Sequence, residues 1–265
     1  MNARKFIMPL VPPLFVSLLK RNKYGWSGDY SSWAEAEAEC TGYDAANILE
    51  KVKDSLLLVK EGKAIYERDS VIFDEIQYAW PLLAFLFKAA VENENRLNVL
   101  DFGGSLGSSY FQNKNYLSSL KEISWNIVEQ PNFIEAGKKY FQNEELHFYQ
   151  DIESCLKEQE CNVLLLSSVL QYLEQPYEWI DCFKKADCEY IIVDRTAFVS
   201  RENDRITVQK VPPSIYKASY VCRFFNEKKL INAWLDRYEL IAKFDALDSS
   251  NLDNTYFKGF ALKRK

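Results

Sequence analysis

The sequence predicts an α/β fold with a doubly wound, mostly parallel, seven-stranded sheet, and three observations predict it. From residue 96 onward short apolar runs alternate with helix-like segments. Several of those runs are apolar throughout, as strands covered by helices on both faces are. The first run ends in an acid and a glycine-rich turn, Asp101-Phe-Gly-Gly-Ser-Leu-Gly107, ahead of a segment that can open a helix at Ser108.

The elements follow in order. Strands are expected at Leu97–Phe102, Ser124–Glu129, Leu146–Tyr149, Asn162–Leu166 and Tyr190–Asp194, with helices near Phe133–Phe141, Ile152–Glu158 and Tyr177–Lys185 between them. Sequential strand–helix–strand units with right-handed crossovers build a doubly wound sheet. An irregular insertion spans about 196–223; it holds a strand, Arg205–Lys210, and the break Pro212-Pro213. After a helix over Asn226–Leu235, the runs Tyr238–Asp245 and Tyr256–Lys263 flank a polar turn, so the sheet closes with a C-terminal antiparallel hairpin.

Residues 24–95 read as a mainly helical N-terminal extension. Ser32 caps Trp33-Ala-Glu-Ala-Glu-Ala-Glu39, a run of strong helix formers with early acids. Ala45 to Glu61 places Ile48, Leu49, Val52, Leu56 and Val59 at helical spacing before Gly62. A third helix is expected from Ile72 to about Val91, with Pro81 marking a kink or junction. The expected domains are an N-terminal arm and helical cap over 1–95 and the α/β domain over 96–265.

Composition excludes several classes. A net charge of −5 and a pI near 5.2 give no basic footprint for a nucleic-acid partner. Six cysteines stand without a CxxC pair, as in a reducing, cytoplasmic setting, and a single histidine, His147, leaves no material for a zinc site. No metal is expected. The apolar stretch Phe6–Leu19 carries three prolines and is flanked by lysines and arginines. It is too short to span a bilayer, which leaves a packed arm or a peripheral membrane contact through residues 1–23 on the inner face.

In open α/β sheets ligands sit beyond the carboxyl ends of the strands. Here those ends carry Asp101, Glu129, Asp151, Ser167-Ser168 and Asp194-Arg195. Three acids on one rim suit a cofactor rich in hydroxyls and amines. Neither GxGxxG nor GxxxxGK[ST] is present, and Asp101 beside the turn opposes a pyrophosphate.

On these motifs the chain resembles the class I S-adenosylmethionine-dependent methyltransferases, which share a Rossmann-like sheet. Asp101, Gly103 and Gly107 match the acid and outer glycines of the family's turn, with Ser105 at the middle glycine. The resemblance implies S-adenosylmethionine as cofactor, held by Asp101, Gly103, Gly104, Ser105 and Gly107. It also implies Glu129 on the ribose hydroxyls, Asp151 and Ile152 beside the adenine, and Ser167 at the fourth strand end. Ser167 to Pro176 looks like the family's fourth-strand motif, with Gln171 and Tyr172 where histidines are frequent. More narrowly, Trp26–Trp33, Thr41–Asp44 and Tyr66-Glu-Arg-Asp69 resemble a group of methyltransferases found with bacterial surface-polysaccharide genes. That resemblance implies O-methylation of a sugar or glycan precursor.

Individual residues keep competing readings. Asp151 either contacts adenine or caps the following helix. Tyr66, Arg68 and Asp69 form part of a lid, with Arg68 on the cofactor carboxylate, or are solvated charges. Asp194 and Tyr172 are the candidate bases for a hydroxyl acceptor. Gln209, Tyr216, Tyr220 and Arg223 line an acceptor cleft or form a packed cluster. His147, inside the third strand, reads as structural. A degenerate methyltransferase fold serving as a binding or scaffold protein is the alternative function.

Overall fold

The computed structural model describes residues 24–41 and 45–265. The expectations for the arm at 1–23, and most of Thr41–Asp44, lie outside the described residues.

The central sheet has seven strands. We number them β4 (Arg96–Phe102), β5 (Glu122–Val128), β6 (Leu146–Tyr149), β7 (Val163–Ser167), β8 (Tyr190–Val199), β11 (Tyr238–Asp245) and β12 (Thr255–Arg264). Their order is β11-β12-β8-β7-β4-β5-β6. The pairs among β4, β5, β6, β7 and β8 are parallel, while β12 runs antiparallel to both β8 and β11. This is the expected doubly wound sheet with its C-terminal antiparallel hairpin.

Alternation along the strands explains the two cores. Leu97 and Val99 of β4, with Val163 and Leu165 of β7, face one side. They pack there on helices α2 (Ala45–Lys60), α3 (Trp80–Glu92), α4 (Ser108–Leu117) and α5 (Pro131–Tyr140). Leu100, Leu164 and Leu166 face the other side, against α6 (Ile152–Glu158), α7 (Pro176–Lys185) and α8 (Glu227–Asn232). Side chains two residues apart share a face of a strand, so apolar residues at every position serve both layers.

The N-terminal segment differs from the helical expectation. Helix α1 (Trp33–Ala38) forms, with Ser32 Oγ accepting from the Glu35 amide at 3.2 Å. Before it, however, lies a strand, β1 (Gly25–Tyr30), which pairs antiparallel with β9 (Arg205–Lys210) of the insertion. With β10 (Ser219–Phe224) it makes a second sheet, β1-β9-β10. Ile72 is likewise not helical: β2 (Tyr66–Arg68) and β3 (Val71–Phe73) form a small hairpin. The third helix begins only at Trp80, with Pro81 in its first turn rather than at a kink. Proline lacks an N–H that the first turn does not use, so it marks a start. Strand β8 extends past Asp194 to Val199 because β12 continues to pair along it.

Candidate functional site

The chain runs outward from β4 through β5 to β6, then returns to β7 on the other side of β4. The carboxyl ends of β4 and β7 therefore flank the switch point where open α/β sheets place their ligands. A cleft of about 1360 Å³ opens there. The glycine turn, the β2–β3 hairpin and the β1-β9-β10 sheet all contribute to its walls.

The turn after β4 is built around its acid. The Gly103 amide donates to the Val128 carbonyl at 2.9 Å, fixing the turn on the neighbouring strand. Gly103 and Gly107 have φ of +73° and +102°, and Ser105 adopts +55°. A serine in the left-handed region carries a cost of about 1–2 kcal/mol. The backbone N–H groups of Gln130 and Ser105 pull the Glu129 carboxyl down against its burial. At Gly104 a Cβ would stand 2.5 Å from the Asp101 carboxyl, so only a bare backbone passes over that acid. A Cβ on Gly103 would meet Val169 Cγ2 at 2.6 Å.

Burial sets the protonation of this rim. Asp101 is 1% exposed, and burial pushes its carboxyl up to about 7 against the opposing hydrogen bond from Trp125. Burial likewise raises Glu129. Asp194, in β8 beside the end of β7 at Ser167, is pushed up to about 6 by burial, with Arg195 pulling the other way. On the hairpin, Glu67 is also 1% exposed and is driven up to about 7 by burial. It accepts from Ser108 Oγ and from the Ser70 amide, both at 2.6 Å.

Most of the expected site residues converge. Arg68, Asp101, Gly103, Gly104, Ser105, Glu129, Ser167, Tyr172 and Asp194 all line the cleft. Three do not. Gly107 caps α4 and packs toward Leu146 and Ile127. Asp151 caps α6, its Oδ1 accepting from the Ser154 amide at 2.7 Å in a reciprocal capping box, and Ile152 opens that helix. The lining residue there is Gln150, one position earlier. Of the insertion residues, Gln209, Tyr216 and Tyr220 line the cleft. Arg223 instead donates to the Glu174 carbonyl and stacks over Trp33. His147 sits within β6, paired with Asn126, and is not among the lining residues.

Sequence reasoning missed Glu67, Gln150 and Asp248. Glu67 lay inside a motif already singled out, and its signal was its place beside Arg68 in a strand. Asp248 lay in the polar turn before β12, where nothing local distinguishes it.

The site has the donors and acceptors a hydroxyl- and amine-bearing cofactor needs. The Arg68 side chain lines the cleft with a buried Nη1 that has no partner, a vacancy suited to a carboxylate. At Gly103 and Gly104 the missing Cβ lets the backbone lie directly against Val169 and Asp101 at the cleft wall. Among the described residues no group of three metal-ligating side chains forms, and no helix is long and apolar enough to cross a membrane.

Comparison with known proteins returns no matching family model and no matching curated protein. Among solved structures, the chain is similar to the 1,6-didemethyltoxoflavin-N1-methyltransferase of Burkholderia thailandensis, crystallised with 1,6-didemethyltoxoflavin and S-adenosylhomocysteine. The identity is 11%, over 90% of this chain and 93% of that one, with a TM-score of 0.46. It is similar to the N-terminal domain of EvdMO1, crystallised in the presence of S-adenosylhomocysteine and D-fucose, at 12% identity over 84% and 98% of the two chains, TM-score 0.48. A third is the N-methyltransferase NodS of Bradyrhizobium japonicum with S-adenosylhomocysteine, at 13% identity over 70% and 86%, TM-score 0.42. The architecture of this chain stands on its own strand order and its antiparallel β12.

Proposed function

We propose that this protein is an S-adenosylmethionine-dependent methyltransferase that O-methylates a sugar or glycan precursor of a surface polysaccharide. The observation that supports it most is the single rim at the switch point. There Asp101 lies under the bare backbone of Gly104, Glu129 stands at the next strand end, and Arg68 presents an unpaired Nη1.

When bound, the cofactor supplies a methyl group on a sulfonium, a good leaving group for in-line displacement. The chain's own residues do the rest. Glu129 and Gln150 offer acceptors to ribose and base hydroxyls and amines, and Arg68 pairs with the carboxylate. The main task is to hold donor and nucleophile in line and exclude water.

On the acceptor side, Tyr172 Oη donates to Gln209 Oε1 at 2.9 Å, and its ring meets Tyr220 edge-on at 5.3 Å. Trp26, Trp33 and Tyr216 extend this aromatic wall, a surface on which the apolar face of a sugar ring can stack. Burial holds the Tyr172 phenol well above its ordinary range, so at neutral pH it is a donor. That leaves Asp194, whose carboxyl titrates near 6, as the base that takes the proton of an acceptor hydroxyl.

Incubation with methyl-labelled S-adenosylmethionine and a panel of glycosides and glycans tests the reading. Label on a sugar hydroxyl is the expected result, and transfer only to protein or nucleic acid overturns it. Calorimetry separates the scaffold alternative, which would show no S-adenosylmethionine binding at millimolar concentration.

A further inference from the structure

We infer that the acceptor half of the cleft admits neutral or amine-bearing acceptors and turns away phosphorylated ones, because Arg195 is held by Asp69 and Asp248. The inference rests on the methyl-donor reading for one step, the assignment of Arg68 to the donor's carboxylate.

The charge balance of the walls comes first. Among the described lining residues there are seven carboxylates, two guanidiniums and no lysine or histidine. The two guanidiniums belong to Arg68 and Arg195. Arg68 has the orphaned Nη1 and lies on the β2–β3 hairpin, whose Glu67 reaches Ser108 directly after the glycine turn. On the proposed function it is assigned to the donor's carboxylate, while its charge also acts on Asp69 and Asp194. For an acceptor, Arg195 is the only cationic side chain left in the described lining.

Arg195 is not available to an anion. Its Nε donates to Asp248 Oδ2 at 2.9 Å and its Nη2 to Asp248 Oδ1 at 3.1 Å, a two-pronged pair. The same Nη2 donates to Asp69 Oδ2 at 2.6 Å. With Arg68 taken up by the donor's carboxylate, one positive charge faces two carboxylates, and the described site around it is net negative. Burial lifts the Asp69 carboxyl, and the Arg195 guanidinium overrides that and holds it below the ordinary range, so Asp69 is ionised at neutral pH wherever this pair stays closed.

A phosphoryl or pyrophosphoryl group entering here would meet like charge with no free counter-ion among the described residues. Taking such an ion out of water without a partner costs several kcal/mol. Breaking the Asp248 pair to free the guanidinium would strand a carboxylate instead. A neutral glycoside meets no such penalty, and an ammonium gains from the acids and from the aromatic faces of Trp26, Trp33 and Tyr220. The class of reaction supplying the substrate then follows: the sugar arrives with its activating phosphate already removed, as a glycoside or free glycan.

The test titrates the S-adenosylhomocysteine complex of the full chain with inorganic pyrophosphate and with UDP-glucose, by calorimetry at fixed low salt. Wild type is compared with the double variant Asp69→Asn, Asp248→Asn, which keeps the shapes and removes both counter-charges. Both probes should bind wild type only weakly, and the double variant should bind pyrophosphate at least about tenfold tighter than wild type does. A UDP-glucose gain matching that of pyrophosphate places the anion at Arg195 with a sugar beside it and supports the inference further. Wild-type binding of either probe as tight as in the double variant overturns it, and so does a double variant that gains nothing while still binding S-adenosylhomocysteine like wild type. A double variant that loses S-adenosylhomocysteine is replaced by each single substitution, read the same way. Wild-type protein that binds no S-adenosylhomocysteine overturns the donor reading and this inference together, whereas donor binding with anion uptake overturns the inference alone.

Discussion

The indole Nε1 of Trp125 donates to Asp101 Oδ2 across 2.9 Å, from strand β5 to the end of its parallel neighbour β4. Both side chains are buried, and the bond lies beneath the bare backbone of Gly104. The carboxyl is thereby oriented from below by a rigid donor, while the glycine turn runs over it from above. Parallel pairing of β4 with β5 is what brings the two side chains together.

Replacing Trp125 by Phe removes that donor and leaves Asp101 buried with one hydrogen bond fewer. The loss of an indole from a core position and of a partner for a buried acid should destabilise the fold by about 2–4 kcal/mol. Because the bond holds the carboxyl down, its loss should also move the Asp101 titration above its present value near 7. Chemical denaturation gives the first quantity. A pH series of S-adenosylhomocysteine affinity gives the second, and a midpoint that does not rise counts against the role assigned to Trp125.

Gly104→Ala tests the turn itself. The added Cβ would stand 2.5 Å from Asp101 Oδ2, so either the turn or the acid must move. Overpacking of this kind costs about 1–3 kcal/mol, and the displaced rim should lower S-adenosylhomocysteine affinity by roughly tenfold or more. Calorimetry on the variant decides it. Affinity equal to wild type would show that the backbone over Asp101 is not part of the cofactor cradle.

Glu67 makes stability depend on pH. Its carboxyl is held up to about 7 in the folded chain, against an ordinary carboxylate value in the unfolded one. Between those two values the unfolded chain has released its proton and the folded chain has kept it. The contribution is therefore fully present below the unfolded value and is lost as pH rises through the folded one, at up to about 1.4 kcal/mol per pH unit across that interval. Glu67→Gln removes this dependence. Thermal melts of the ligand-free protein should show the variant gaining on wild type from pH 5 to pH 8; parallel curves would refute the assignment.

Much of this site was legible because its parts are local. A strand, its terminal acid and the glycines after it are contiguous in sequence, so Asp101, Gly103 and Gly104 could be read directly. Glu129 and Ser167 followed from knowing where strands end, and Asp194 stands level with the end of β7 although its own strand runs on to Val199. The partners that orient them could not be read that way. Trp125 meets Asp101 only through sheet register, and Arg195 meets Asp69 and Asp248 across separations of 126 and 53 residues. Asp151 had two readings because an acid at a strand end is also an acid at a helix start, and the capping box is the one the structure shows. The N-terminal strands were missed for a related reason: β1 is rich in glycine and polar residues and becomes a strand through its pairing with β9.

Asp194 should govern the pH dependence of turnover. As a base it must be ionised, and burial places its titration near 6. The turnover number should therefore fall about tenfold per unit below that value and level off above pH 7, the direction opposite to that of an acid catalyst. Asp194→Asn keeps the shape, removes the base and should lower turnover by roughly 100- to 10,000-fold with the acid limb abolished. The Ser168 amide donates to the Asp194 main-chain carbonyl at 3.0 Å, a bond the substitution leaves in place, so S-adenosylhomocysteine affinity should change little. A variant that keeps the wild-type pH profile at reduced rate would show that another group takes the proton and that Asp194 acts by position.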